Sequence, residues 1–297
     1  MIRRSGQHSS YRAGCQSPGH RRGRGSTENR CVQGPPGTHN RPVDTSAFVR
    51  DGYVAVRGAF DERTARACRE LIWDQLAERG IAAGDRATWA PPLVRINCPE
   101  GEPFATAGTS PRLHAAYDEL LGAGRWIPRA GVGGTVPVRF PSEEYPGEVG
   151  YHIEGSYWGG SGWWANVRSR ERGLLALFLF SDIGPDDAPT RLIVGSHLFV
   201  PPVLAAAGEN GMLADDVAAR IQPSVLCQGA AAATGKAGDV YLCHPFVVHT
   251  ATWPHRGIAP RMMAQPGVAV RDGFALDGSD PSPVARAIIQ GLAPARG

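Results

Sequence analysis

The segment Tyr151-His152-Ile153-Glu154-Gly155 sets an imidazole and a carboxylate two residues apart. In an extended strand, positions i and i+2 project from the same face, so His152 and Glu154 can enter one cavity together. A second imidazole, His249, closes a mostly apolar run rich in β-formers, Val240 to Val248. Two neutral imidazoles and one carboxylate can hold one side of a ferrous ion and leave three positions for a co-substrate and oxygen. Taken singly, each residue is equally at home as a core or surface side chain. Arg261 opens the next run, Met262 to Val270, which is expected to pair back antiparallel on the first. A guanidinium there suits a carboxylate-bearing ligand, because its planar fork binds bidentately and stays charged when desolvated.

The elements that must position these groups read mainly as β with flanking helices. Phe48 to Val56 alternates as a first strand. Asp61 caps a helix whose stripe is Ala65, Cys68, Leu71, Ile72, Gln75 and Leu76, ended by Gly80. Ala82 to Thr109 reads as loop, with residues 85–108 either a substrate lid or a surface excursion. Ser110-Pro111 starts a second helix with Leu113, Tyr117, Leu120 and Leu121 on one side and Gly122 as its stop. Val136 to Phe140 is a short strand, placed at an edge by Pro137. The glycine-interrupted aromatics from Trp158 to Trp164 read either as a mobile flap beside the metal or as hydrophobic plugs. Leu174 to Phe180 is an unbroken apolar run, Pro201 to Gln222 an Ala-rich connection with helical turns, Pro223 to Cys227 strand-like, and Val284 to Leu292 a terminal helix. Of the remaining histidines, His244 is expected on the opposite side of His249's strand, His197 in a turn, and His114 and His255 at the surface.

Several of these pieces, in order, resemble the phytanoyl-CoA dioxygenase family of Fe(II)/2-oxoglutarate oxygenases. They are F-V-R-D-G-Y-V-A-V at Phe48 to Val56, H-x-E at His152 and Glu154, R-L-I-V-G-S-H at Arg191 to His197, G-D-V-Y-L-C-H-P-F-V-V-H at Gly238 to His249, and the trailing Arg261. The resemblance covers residues 46–270. It implies a double-stranded β-helix (jelly-roll, cupin-like) core in a single domain over residues 44–297. It also implies Fe(II) on His152, Glu154 and His249, and 2-oxoglutarate with its distal carboxylate on Arg261. With O2, a small organic substrate would then be hydroxylated or otherwise oxidised, releasing succinate and CO2. Glu154 departs from the Asp more usual in that family, and its longer arm must fold or its strand must sit back. The family's small hydroxyl residue after the distal His could be Thr250 or Thr252. A carboxylate at position 154 argues against the halogenating relatives, which leave that position vacant for chloride. A zinc hydrolase could use the same ligand types but would leave Arg261 unexplained, and no H-E-x-x-H helix is present. A non-catalytic metal-binding jelly-roll is the third class.

Composition sets the remaining bounds. Gly 38 and Pro 25 in 297 residues are well above average usage and fit a fold with many turns. No apolar run approaches the roughly 18 residues of a membrane span, so no membrane partner is expected. Six scattered cysteines without a C-x-x-C pair suit a reducing cytoplasm. Residues 1–43 carry eight Arg and one Glu, a charge of +7. The whole chain is +3, so the rest is −4. That Arg/Gly-rich tail has almost no aliphatic side chains and is expected to be disordered. It can be read as a nucleic-acid arm, a transit peptide or an extension upstream of the true start. The acidic remainder gives no support to a nucleic-acid partner.

Overall fold

The computed structural model describes residues 42–147, 149–225 and 228–294. The expected tail at 1–43 therefore falls almost entirely outside the described residues. Its last residue, Val43, packs against the core and donates its N–H to Glu119 at 2.9 Å. The order is α1 (Thr45–Asp51), β1 (Tyr53–Val56), α2 (Glu62–Ala77), β2 (Leu93–Asn97), α3 (Glu102–Gly108), α4 (Pro111–Leu121) and β3 (Thr135–Arg139). Then come β4 (Tyr157–Trp158), β5 (Trp163–Ala165), β6 (Leu174–Leu179), β7 (Arg191–Ile193), α5 (Val200–Ala206), β8 (Met212–Leu213) and α6 (Ala214–Val225). The chain closes with β9 (Ala230–Ala232), β10 (Val240–Cys243), β11 (His249–Thr250), β12 (Met263–Ala264), β13 (Gly267–Val268) and α7 (Pro283–Leu292).

All named strand pairings are antiparallel. One sheet runs β1-β10-β6-β12, with β13 also on β6; a second runs β11-β7-β9; β2-β3 and β4-β5-β8 form smaller ones. The unbroken apolar run at β6 is explained by burial on both faces. Leu174, Ala176 and Phe178 join a core shared with Ile72 of α2, Leu120 of α4 and Ile288 of α7. Leu175, Leu177 and Leu179 join Leu192 of β7, Tyr241 and Cys243 of β10, and Met263 of β12. Period-2 alternation thus places this second core between the two larger sheets. Burying each such side chain contributes roughly 1.5–3 kcal/mol.

The helices form where the caps require. Asp61 accepts from the Thr64 N–H at 2.8 Å, and α2 buries Ala65, Cys68, Ile72 and Leu76. Ser110 starts α4, which buries the expected stripe, and α7 occupies the expected terminal position.

Four expectations are corrected. Phe48–Val56 is not one strand: Asp44 caps α1, and Gly52, at φ 88, ends it before β1 begins. A Cβ at Gly52 would meet the His197 Nδ1 at 2.5 Å, and His197 donates its Nε2–H to Val49 O at 3.0 Å. The turn His197 occupies is thereby tied to α1. Residues 82–109 are not loop, since they hold β2, α3 and Trp89, which stacks on Trp73 and contacts Phe140. Pro223 to Val225 belong to α6 rather than to a strand, and Leu226 and Cys227 lie outside the described residues. Finally, Val240–Val248 is not one strand: β10 ends at Cys243, His244 lies in the connection, and His249 opens β11 in the second sheet, while the run from Arg261 pairs with β6 instead of folding back on His249.

Candidate metal centre

His152 and His249 face each other across a reciprocal backbone bridge, each N–H donating to the other's carbonyl at 3.0 Å. β11 itself pairs with β7, His249 opposite Leu192, so the bridge extends that sheet and lays the two rings 4.4 Å apart. The His152 Nδ1–H donates to Gly150 O at 2.8 Å and the His249 Nδ1–H to Val247 O at 3.1 Å. A carbonyl can only accept, so both Nδ1 atoms carry the proton and both Nε2 atoms are left for a ligand. Burial, and then the neighbouring His249, push the His152 pKa down, which keeps that ring neutral. Thr250 secures this arrangement: its Oγ1 accepts from the Gly150 N–H at 3.1 Å and donates to Ala251 O at 2.9 Å.

Glu154 completes the set. Its Oε1 stands 3.4 Å from the His249 Nε2 and 3.9 Å from the His152 Nε2, and the three ligand atoms lie within 4.8 Å of one another. The structure thus brings His152, Glu154 and His249 together, around an isolated bridge rather than along a strand face. Burial raises the carboxyl pKa, but the His249 hydrogen bond and charge, with Arg172, outweigh it and hold Glu154 at about 2. Two imidazole nitrogens and an ionised carboxylate facing one another make a donor set for a metal ion.

Arg172 is the residue that sequence reasoning missed. Its Nη2 lies 3.9 Å from the Glu154 Oε2, while its Nε–H donates to Gly155 O at 2.9 Å. Gly267 lies flat against it, and a Cβ there would come within 2.5 Å of the Arg172 Nη1. In the sequence Arg170-Glu171-Arg172-Gly173 nothing distinguishes it from a solvated turn.

The triad opens on a cavity of about 830 Å³ also lined by Arg95, Thr135, Asp215 and Gln265. Arg95 is a second omission. Its signal was the apolar, β-forming neighbourhood Leu93-Val94-Arg95-Ile96.

Arg261 does not line this cavity. It is 1% exposed, donates from Nη1 to Ala188 O at 2.5 Å, and has no partner for Nε. Alternation along its segment nevertheless groups it with Met263 of the inter-sheet core and with Gln265 of the cavity wall, while Met262 and Ala264 face the other core. Its backbone bridges Arg139 of β3. Burial, followed by the charges of Arg139 and Arg95, pushes its pKa down to about 9.

The other histidines serve elsewhere. His255 is buried rather than exposed, its Nδ1 accepting from Gly257 N–H at 3.2 Å. His244 is buried against Phe48 and His197, and His114 packs at a tilt of 56° against Trp126. The aromatic segment is a hydrogen-bonded hairpin of β4 and β5, held by Ser156 N–H to Trp164 O at 2.6 Å. Its glycines permit close packing: Cβ atoms at Gly155 and Gly159 would collide with Trp163 and Trp164.

No family model matches the chain, and no curated protein matches it. Solved structures do. The chain is similar to the non-heme alpha ketoglutarate dependent carbocyclase SnoK from nogalamycin biosynthesis, at 18% identity over 76% of this chain and 82% of that one, TM-score 0.55. It is also similar to the epimerase SnoN, crystallised with Fe3+, alpha ketoglutarate and nogalamycin RO, at 18% identity over 80% and 91%, TM-score 0.54. Likeness at this identity shows a shared fold. Among the described residues no helix is long and apolar enough to cross a membrane.

Proposed function

We propose that this protein is a non-haem Fe(II)- and 2-oxoglutarate-dependent dioxygenase, built on a double-stranded β-helix core, that oxidises a small organic substrate. The observation that carries the reading is the convergence of two Nε2 atoms on one ionised carboxylate, with each tautomer fixed by an Nδ1–H to a backbone carbonyl. That donor set, one-sided and opening on a cavity, matches what ferrous oxygenases use. The SnoK and SnoN folds support it.

In this reading His152, Glu154 and His249 hold the iron, Arg172 steadies Glu154, and Thr250 holds Gly150 and through it His152. Bound there, iron with 2-oxoglutarate and O2 supplies the oxidising power for C–H oxidation, with succinate and CO2 as co-products. Arg261 receives the distal carboxylate of 2-oxoglutarate. Its buried guanidinium with an unpartnered Nε is supported in that role by Arg95, which lines the cavity, and by Arg139. The rest of the cavity, lined by Thr135, Asp215 and Gln265, is left to the substrate.

The test is anaerobic titration of the protein with Fe(II) and 2-oxoglutarate, followed by oxygen. A weak visible charge-transfer band and iron-dependent succinate formation are expected. Iron binding with neither the band nor succinate on addition of 2-oxoglutarate would overturn the reading.

A further inference from the structure

Seven large hydrophobic side chains are exposed among the described residues, and four of them are aromatics on the segments that carry the metal ligands: Tyr145, Trp158, Trp163 and Trp253. They form two edge-to-face pairs. Tyr145 and Trp253 lie 5.3 Å apart at 76°, and Trp158 and Trp163 5.9 Å apart at 81°.

None of the four side chains lines the triad cavity itself, but both pairs stand on the segments that flank it, and a Cβ at Gly155, next to Glu154, would collide with the Trp163 Cβ. Two antiparallel bridges join this part of the chain, Ser142 with His255 and His152 with His249. Tyr145 and Trp253 lie between those two bridges, next to the cavity-lining Gly147 and Ala251. The second pair follows Glu154 directly. In register, Trp158 opposes Trp163, and the next residue, Trp164, opposes Leu213, two positions before the cavity-lining Asp215.

The hairpin that shows Trp158 and Trp163 is rigid. Cβ atoms at Gly155 and Gly159 would collide with Trp163 and Trp164, and one at Gly162 would stand 2.8 Å from Leu213. The glycines let β4 and β5 close tightly on one another and on β8, and Trp164, not its neighbours, is turned inward with its Nε1 buried. Trp158 and Trp163 are left 60% and 56% exposed. A cross-strand aromatic pair helps a hairpin modestly, but that role does not require most of both indoles to face water. Nor does it account for a second exposed pair on the ligand-bearing segments. Rigid aromatics displayed beside a polar, charged cavity make a recognition surface: they offer large area and π-faces at little entropic cost.

We infer that the four aromatics form the mouth of the substrate site and select a substrate with a planar aromatic or conjugated ring system. Its reacting carbon reaches the triad while its rings lie against the indoles. This rests on the oxygenase reading above and names the substrate class for the same site.

The test compares two alcohols of similar size, 2-naphthol and its fully saturated decahydro analogue. Each is measured by equilibrium dialysis, without oxygen, against protein loaded with Fe(II) and 2-oxoglutarate. Edge and face contacts to two or more rings add to what area burial alone provides, so 2-naphthol should bind about tenfold more tightly. Trp158→Ser/Trp163→Ser should abolish that preference, with Tyr145→Ser/Trp253→Ser reducing it. Trp158→Tyr/Trp163→Tyr should restore most of it, which separates recognition from any damage to the hairpin.

Equal affinity for the two alcohols, or selectivity unchanged in the serine pair, overturns the inference. So does a dimer in sedimentation that the serine pair converts to monomer, because a second copy of the chain would then cover these rings. The charge-transfer band is read on the same samples. Its absence with naphthol selectivity retained would overturn the oxygenase reading and not the aromatic recognition; its presence without selectivity would do the reverse.

Discussion

Replacing Arg261 by Met should make the metal-free protein more stable and its use of 2-oxoglutarate worse. The guanidinium is 1% exposed, sits near Arg139 and Arg95, and has its pKa pushed from 12.5 down to about 9. A displacement of that size corresponds to about 5 kcal/mol of unfavourable environment for the charged form. Met removes the charge but leaves Ala188 O without the Nη1 hydrogen bond, a loss of about 1.5–3 kcal/mol. The net gain expected in urea unfolding at pH 7 is then about 2–3 kcal/mol. The sign with pH follows from the depressed pKa of a base. The penalty is fully present below about 9 and is relieved as pH rises through it, so the advantage of Met should be constant between pH 6 and 8. With 2-oxoglutarate the order inverts. Breaking one partner of a buried pair costs roughly 3–5 kcal/mol, and since Arg95 and Arg139 remain, a loss near 10²-fold in co-substrate affinity is expected, the lower end of that range. Pyruvate, which has no distal carboxylate, should lose little. The assay is a pair of anaerobic titrations with Fe(II), one per oxoacid, beside the urea curves. Lower stability in Arg261→Met together with equal losses for both oxoacids would show that Arg261 is structural and that the reasoning is wrong.

Three further outcomes follow from the site and its supports. His152→Ala or Glu154→Ala should abolish turnover and weaken Fe(II) binding while leaving the circular dichroism melt nearly unchanged, and Glu154→Asp should keep partial activity; full activity in Glu154→Ala would remove the metal assignment. Gly267→Ala should displace the Arg172 guanidinium that backs Glu154 and lower metal affinity by roughly 10-fold or more without touching a ligand, as measured by competition with a chelator. His197, whose pKa burial pushes down to about 4, must be protonated in the unfolded chain before it is protonated in the folded one, so stability should fall as pH drops from 6.5 toward 4. The contribution is about 2 kcal/mol by pH 5, and urea unfolding of His197→Gln should show a correspondingly flatter profile between pH 7.5 and 5.

The parts of the fold legible in the sequence are those set by local chemistry. Asp61 and Ser110 announce their helices because capping is decided within one turn. His152 and Glu154 are legible from their i, i+2 spacing, although the structure brings them together around a single bridge at His152 and not within a strand. The failures share a different cause. Phe48–Val56 has an alternation that suits a strand, yet Gly52 ends a helix there because the His197 ring, far along the chain, occupies the space where a Cβ would sit. Residues 82–109 look like loop because β2 has its partner in β3 and Trp89 has its partners in Trp73 and Phe140. Arg172 and Arg95 could not be ranked above the many other arginines, since what singles them out is proximity to Glu154 and to the cavity.

The longer acid at position 154 is matched by the residues around it. A glutamate carries one more methylene than the aspartate expected from the resemblance, and a loose arm would hold a metal poorly. Here its two oxygens are directed differently: Oε1 turns to the imidazoles, and Oε2 to Arg172. Arg172 is itself fixed, by its hydrogen bond to Gly155 O and by the flat face of Gly267. The carboxylate is thus restrained from both ends, and the guanidinium beyond it favours the ionised form that a metal requires. Arg172 also lies close enough to a bound cation to oppose it. The gain from orienting Glu154 must exceed that repulsion. Position 154 and position 172 are therefore one unit, in which the extra methylene of glutamate places the acid between the imidazoles and the arginine that steadies it.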